Sequence, residues 1–146
     1  SGLSPTIKTI DDIKLINRKK DDYCEDDALF GLLCNEPSDC FGFVPYAKGK
    51  GYVFGENITK EFCQVNDLDL IVRGSCYIPK GYKLTHDNKI CSICSSPNAL
   101  YRNDNEGAIM EVDENKNYNF HRFDCAPRRG KIELMEKTPD CFYKSN

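Results

Sequence analysis

The sequence predicts an α+β fold in which helices come first along the chain and strands follow. Three segments before residue 66 have the apolar spacing and capping residues of helices, and five later segments resemble strands. The chain has 146 residues, of which 40% are hydrophobic, and this fits one globular domain. No apolar run approaches the roughly 18 uncharged residues that a membrane span needs. The order of elements favours a largely antiparallel or mixed sheet.

Capping residues and apolar spacing place the first two helices. Thr9 is expected to cap the first helix, with its hydroxyl accepting from the amide of Asp12. A second helix is predicted over 28–34, and it ends before Asn35-Glu36-Pro37, since proline cannot continue a helix.

Turn-forming residues fill 38–50, so we expect a long loop there with no regular element. The next helix is predicted to have Asn57 as its cap and to bury Ile58, Phe62 and Val65. Asn57-Ile58-Thr59 also matches the glycosylation triplet, but the helix cap is the better interpretation for an intracellular chain.

Strands are predicted in the second half of the chain, two pairs of them as hairpins. The segments are 68–72, 82–85 and 89–94 around His86-Asp87-Asn88, and 108–113 and 118–123 around 114–117. Prolines and a glycine interrupt the charged segment that follows, which indicates a mobile or docking tail. The predicted organisation is therefore a domain over 1–125 and a tail over 126–146.

The nine cysteines are interpreted as reduced thiols, because their number is odd and no secretion signal precedes them. The expected location is the cytoplasm or the nucleus. Cys91 and Cys94 have the spacing of half a zinc site, which remains an alternative to a buried strand in which both thiols act as small hydrophobic groups. A net charge of −3 and the scattered bases of 116–146 argue against nucleic acid as the main partner.

Several segments, in this order and spacing, resemble the phosphoprotein phosphatase family, and the tail is similar to the type 2A catalytic subunits. The segments are 2–5 (GLSP), 49–55 (GKGYVFG), 95–98 (SSPN), 126–130 (APRRG) and 138–140 (TPD). The resemblance implies a metallophosphoesterase fold, a four-layer β-sandwich flanked by helices, of which this chain would be the C-terminal half. In that family two divalent metals, such as Mn, Fe or Zn, activate a bridging water.

Two positions of the implied active site depart from the family pattern. Ser75 stands where the resemblance implies a metal-binding histidine, and a serine hydroxyl is a poor substitute for an imidazole ligand. Lys48 stands where it implies a phosphate-gripping arginine, so the charge is kept and the planar fork is lost. We therefore expect metal binding to be weak or absent. His86 and His121 are interpreted as structural residues of strand-like segments, and neither replaces the missing ligand.

The implied rim of the pocket departs at a third position. The family carries a tyrosine at Ala99, directly after Asn98, whereas Tyr101 and Arg102 follow the family pattern. Three departures together predict a pseudophosphatase, or a fragment, that acts by binding a phosphoprotein or a regulatory or scaffold subunit. Drift in a non-functional fragment is one alternative. Another is an active serine/threonine phosphatase that is completed by its N-terminal half, so enzyme activity stays open.

Self-association is also expected if the chain is a half-domain. Such a half-sandwich would leave strand residues partly exposed, namely Ile71, Ile90, Ile93 and Met110.

Overall fold

The computed structural model describes residues 1–19, 26–47, 49–74, 76–101 and 103–126. The helices are α1 (Ile10–Lys14), α2 (Asp27–Cys34) and α3 (Glu56–Val65), with a short 3-10 turn at Ala99–Tyr101. The strands are β1 (Glu36–Pro37), β2 (Phe43–Pro45), β3 (Tyr52–Phe54), β4 (Ile71–Arg73), β5 (Tyr82–Thr85), β6 (Ile90–Ile93), β7 (Gly107–Val112) and β8 (Tyr118–Phe123). Within these ranges, no helix has the length and apolar character for crossing a membrane.

The strands form two mixed three-stranded sheets and one hairpin. The first sheet has the order β1-β3-β2, with β1 parallel and β2 antiparallel to β3. The second has the order β4-β6-β5, again with one parallel and one antiparallel pair. β7 and β8 pair antiparallel over six residues each, and the Ala108 amide donates to the Cys94 carbonyl, which joins the hairpin to the end of β6. The predicted α+β class is confirmed.

The first helix has the predicted cap. The Asp12 amide donates to Thr9 Oγ1 over 3.1 Å, and the Asp12 carboxylate accepts from the Thr9 amide over 2.8 Å. Hydrogen bonds to the carboxyl from the Thr9 side chain and the Thr9 amide, with a further one from the Lys8 amide, lower the pKa of Asp12. α2 is also confirmed, and Asp26 caps it by accepting from the amides of Ala28 and Leu29.

The cap predicted for the third helix is wrong. Gly55 is the N-cap of α3 and supplies no side chain, while Asn57 lies inside the helix and accepts from the Gly42 amide over 2.9 Å. Asn57 therefore ties the helix to the preceding loop. Phe62 is buried as expected, whereas Val65 is 58% exposed because it lies at the helix end.

The segment 38–50 contains the regular element β2, contrary to the prediction. Val44 pairs with Val53 and Pro45 with Tyr52, since Phe43 and Val44 suit a strand and Pro45 lies at the end of an edge strand. The predicted strand 68–72 is shifted, because β4 begins only at Ile71.

Both predicted hairpins are confirmed. β5 and β6 pair around a turn in which His86, Asp87 and Asn88 all have positive φ, between 50° and 60°. His86 therefore lies in the turn, so its interpretation as a residue of a strand-like segment is wrong. The same interpretation is confirmed for His121, which lies in β8. Tyr82 of β5 stacks on Phe120 of β8 with ring centroids 3.8 Å apart.

The hydrophobic core lies between α3 and the first two sheets. Its buried members are Leu3, Ile7, Phe54, Phe62 and Ile90. The expected exposure of Ile90 is wrong, since its exposed fraction is 0%; the other strand residues expected to be exposed, Ile71, Ile93 and Met110, are half-buried.

The two thiols of the predicted strand 89–94 differ. Cys91 is fully buried in β6 and behaves as a small hydrophobic group, and this burial raises the pKa of its thiol to about 11. Cys94 lies after the strand and is half-buried, so the strand assignment was wrong for it. The zinc alternative finds no support here, since the described residues contain no group of three possible metal ligands.

Residues 127–146 of the predicted tail lie outside the described residues, and the division at residue 125 stays a prediction.

Candidate functional site

The candidate site lies at the edge where β4 and β6 end. The two strands run parallel, with Arg73 opposite Ser92, so their carboxyl ends meet at one edge of the sheet. β4 continues into Gly74, whose carbonyl accepts from Ser1 Oγ over 3.0 Å. The first residue of the chain therefore packs on the end of β4.

Arg73 is the buried cation of this edge, with 8% of its surface exposed. Its Nε donates to the Ser1 carbonyl, and its Nη1 donates to Ser92 Oγ over 3.1 Å. Its Nη2 is buried and has no hydrogen-bond partner among the described residues. The carboxylate of Glu36 faces this nitrogen, with Oε1 3.6 Å from Nη2.

Glu36 links Arg73 to the hairpin formed by β2 and β3. Its side chain is 48% exposed and lines a cavity of about 240 Å³. The other lining residues are Cys34, Tyr46, Lys50 and Tyr52. Lys50 lies 3.1 Å from the Asp27 carboxylate and over the ring of Phe30, so its charge is shared with α2.

Asn35 fixes the position of Glu36. Its side chain is 1% exposed, its Nδ2 donates to the Leu3 carbonyl over 2.8 Å, and its Oδ1 accepts from the Tyr52 amide over 2.8 Å. A buried side chain with both ends paired rigidifies the surrounding backbone. The amino-terminal segment, β1 and β3 are therefore held together directly beside Glu36.

A loop begins after β6, at the carboxyl end of that strand, and Asn105 organises it. Asn105 is 3% exposed, donates from Nδ2 to the Ser96 and Glu106 carbonyls, and accepts at Oδ1 from the Ala99 amide. The Tyr77 hydroxyl donates to the Asn103 carbonyl over 3.3 Å, so the segment that follows β4 touches this loop.

The predicted rim residues that are described lie in this loop. Asn98 has φ 47°, and its Oδ1 is buried without a hydrogen-bond partner in the described part of the chain. Ala99 begins the 3-10 turn and is half-buried. Three other predicted site residues, Lys48, Ser75 and Arg102, lie outside the described residues, as does the side chain of Tyr101. Their meeting at one site stays a prediction.

The two histidines lie elsewhere. His86 is at the amino end of β6, where Nδ1 is 2.7 Å from Thr59 Oγ1 and Nε2 is 3.2 Å from the Ser38 carbonyl. His121 is on the outer hairpin, with Nε2 3.0 Å from the Glu111 carboxylate. Both rings thus have partners remote from the edge formed by β4 and β6.

Comparison with known proteins identifies the family. The model of the calcineurin-like phosphoesterase family matches residues 1–74, which is half of the chain, and the chain belongs to this family. The matched region ends at Gly74, the residue after Arg73.

Comparison with solved structures supports the fold. The chain is similar to a protein serine/threonine phosphatase from Saccharomyces cerevisiae, described as similar to human phosphatase PP5, with a TM-score of 0.76 and 24% identity. The match covers 88% of this chain and 44% of the yeast chain, so the chain spans less than half of the length of that structure. At this identity the similarity establishes the metallophosphoesterase fold. A specific relation to the type 2A enzymes is not confirmed.

The described residues do not fit the divalent metals that this family typically binds. No three His, Cys, Asp or Glu side chains of the described ranges lie close enough to hold an ion. At the edge itself, the carboxylate of Glu36 faces a guanidinium instead of a second metal ligand. A metal ion placed there would have to compete with the buried positive charge of Arg73.

Sequence reasoning missed Arg73 and Glu36 as site residues. The only local signal is an arginine at the end of the apolar run Leu70-Ile71-Val72, where a buried charge needs a partner. That partner is 37 positions away in the chain, and no periodicity of the sequence joins the two.

Proposed function

We propose that this chain is a serine/threonine phosphatase-like protein that binds phosphorylated ligands without hydrolysing them on its own. The observation that supports this most directly is the chemistry of the edge: the buried guanidinium of Arg73 has one donor without a hydrogen-bond partner in the described part of the chain, and the carboxylate of Glu36 faces it. Such an edge suits an anionic group better than a pair of cations. The departures at Lys48, Ser75 and Ala99 agree with this proposal.

The proposed partner is a phosphoprotein or a regulatory or scaffold subunit, in the cytoplasm or the nucleus. Arginine recognises phosphate through paired N–H donors, and phosphate carries more charge and more acceptor oxygens than a carboxylate. The loop around Asn98 and Ala99 would form the rim on which the peptide lies.

Two measurements on the whole chain test this proposal. Calorimetric titration with a phosphoserine peptide should give binding that the unphosphorylated peptide lacks. Hydrolysis of the same peptide in the presence of Mn²⁺ should stay at the level of the buffer. Turnover at rates typical of enzymes, about 1–10³ s⁻¹, would refute the non-catalytic function.

The second candidate function is an active metal-dependent phosphatase that is completed by an N-terminal half. It is favoured by the length comparison, since the chain corresponds to 44% of the yeast phosphatase. Co-expression with the N-terminal half of a calcineurin-like phosphoesterase, with and without Ser75→His, distinguishes the candidates. Activity that appears only with the substitution would show that the metal ligand was missing; activity without it would favour the second candidate.

A further inference from the structure

We infer that Glu36 occupies the place of an anionic ligand on Arg73, and that a phosphate group binds this arginine by displacing the Glu36 side chain. This inference rests on the proposed function and names the side chain that controls the site. It is drawn from the arrangement of three groups: Nη2 of Arg73, which has no hydrogen bond within the described ranges, the carboxylate of Glu36 3.6 Å away, and the cavity that Glu36 lines.

The guanidinium of Arg73 is incompletely satisfied. Its Nε and Nη1 have acceptors in Ser1 and Ser92, which fix the plane of the group, whereas Nη2 is buried and has no acceptor among the residues that the structure describes. A buried charged donor without an acceptor raises the free energy of the folded protein. An acceptor that binds here therefore contributes more binding free energy than it would on the surface. Because the plane is already fixed, little rotational freedom is lost when an anion binds.

Glu36 satisfies this donor poorly. The separation of 3.6 Å between Oε1 and Nη2 exceeds the usual range of charge-assisted hydrogen bonds, and one oxygen is involved instead of a bidentate pair. The carboxylate is also half-exposed, so it keeps contact with water. It therefore forms an ion pair with the arginine without a hydrogen bond, and it remains displaceable.

The cavity provides a route for the ligand. Glu36 lies between the buried guanidinium and a cavity of about 240 Å³ that Lys50, Tyr46 and Tyr52 also line. Movement of the Glu36 side chain would open this cavity toward Nη2. Tyr46 and Tyr52 are part of the lining, and the ammonium of Lys50 adds positive potential even though Asp27 shares it.

The expected ligand is therefore a phosphate monoester or inorganic phosphate. A phosphate dianion competes with a carboxylate through its higher charge and its additional acceptor oxygens. Glu36 would act as an autoinhibitory group that keeps weaker anions, such as carboxylates of proteins, from the arginine.

Titration of the whole chain with inorganic phosphate at constant ionic strength tests the inference. Glu36→Gln keeps the shape and removes the competing charge, so it should bind phosphate about tenfold more tightly than the wild type. The matched control is Glu111→Gln, which neutralises a surface carboxylate paired with His121 and should leave phosphate affinity unchanged. Arg73→Lys should weaken phosphate binding in both backgrounds.

NMR of the arginine Nε–H groups provides a readout that does not depend on an Arg73 variant that folds. The Arg73 signal should shift when phosphate is added, and it should shift at lower concentration in Glu36→Gln. Equal affinity of the wild type and Glu36→Gln, or an Arg73 signal that does not respond, would overturn the inference, whereas binding of the phosphoserine peptide in the same samples would still support the proposed function at a different arginine or lysine. Absence of binding of both phosphate and the phosphoserine peptide in every variant would overturn both.

Discussion

Thr59 Oγ1 lies 2.7 Å from Nδ1 of His86, and this contact joins α3 to the turn between β5 and β6. Nε2 of the same ring faces the Ser38 carbonyl, which only accepts, so Nε2 carries a proton and the Thr59 hydroxyl donates to Nδ1 in the neutral ring. His86 thereby connects both three-stranded sheets with the helix, and it holds a turn of three residues with positive φ.

Replacement of Thr59 by valine should therefore destabilise the fold. The side chain is fully buried, and Thr59→Val keeps its shape while leaving Nδ1 of His86 without a donor. The expected loss in the free energy of unfolding is about 1–3 kcal/mol, measured by urea denaturation.

Thr85→Val is the matched control, because Thr85 Oγ1 is buried without a hydrogen-bond partner in the described part of the chain. Removing this hydroxyl should be neutral or stabilising. Equal losses for the two variants would contradict the role assigned to the contact between Thr59 and His86.

Substitution of Gly55 by alanine should be damaging, since a Cβ atom there would lie 1.9 Å from the Cys40 carbonyl oxygen. The helix cap and the loop must then separate, at a cost of about 3 kcal/mol. Gly74→Ala serves as the comparison: the nearest atom to its added Cβ, the Ile93 carbonyl oxygen, is 3.8 Å away, so stability should change by less than about 0.5 kcal/mol. Thermal unfolding of both variants measures the difference, and a stable Gly55→Ala protein would show that the close packing at Cys40 is wrong.

Asn105→Ala should release the loop that carries Asn98 and Ala99. The substitution removes two donors to carbonyl groups and the acceptor for the Ala99 amide. Hydrogen exchange of the Ala99 amide should accelerate by at least about tenfold, which corresponds to the loss of one or two buried hydrogen bonds. Asn103→Ala, on the same loop, should exchange like the wild type at Ala99; acceleration in both variants would mean that the loop is not organised by Asn105.

The burial of Cys91 predicts both its reactivity and a dependence of stability on pH. Desolvation raises the pKa of its thiol from about 9 to about 11, so at pH 8 iodoacetamide should modify the exposed Cys34 and spare Cys91, as peptide mass spectrometry would show. The folded state favours the neutral thiol. The contribution of Cys91 to the free energy of unfolding is therefore complete below pH 9 and is lost as the pH rises toward 11. Cys91→Ala should lose less stability than the wild type between these pH values, and identical pH profiles of the two proteins would contradict the assigned burial.

Local sequence signals predicted the elements whose determinants lie within a few residues. The capping box of Thr9 and Asp12, the second helix and both hairpins depend on spacing that a sequence displays directly. The sequence did not reveal the cap of α3. Gly55 is required because the Cys40 carbonyl leaves no room for a side chain there, and the Asn57 side chain accepts a hydrogen bond from the Gly42 amide instead of capping the helix. Both contacts cross from the helix to a preceding loop.

The candidate site was less accessible to sequence reasoning. The family resemblance pointed to the correct fold and to the end of β4, but the pairing of Arg73 with Glu36 joins two sheets and depends on tertiary packing. Charge at a single position indicates neither its burial nor its partner.

Residues 1–3 form hydrogen bonds with three different parts of the fold. Ser1 supplies an acceptor to Arg73, the Gly2 amide donates to the Leu32 carbonyl, and the Leu3 carbonyl accepts from Asn35. Removal of these residues would leave Arg73 Nε, the Leu32 carbonyl and Asn35 Nδ2 without their partners, so a variant shortened to Ser4 should unfold more readily even though no residue of a helix or strand is lost.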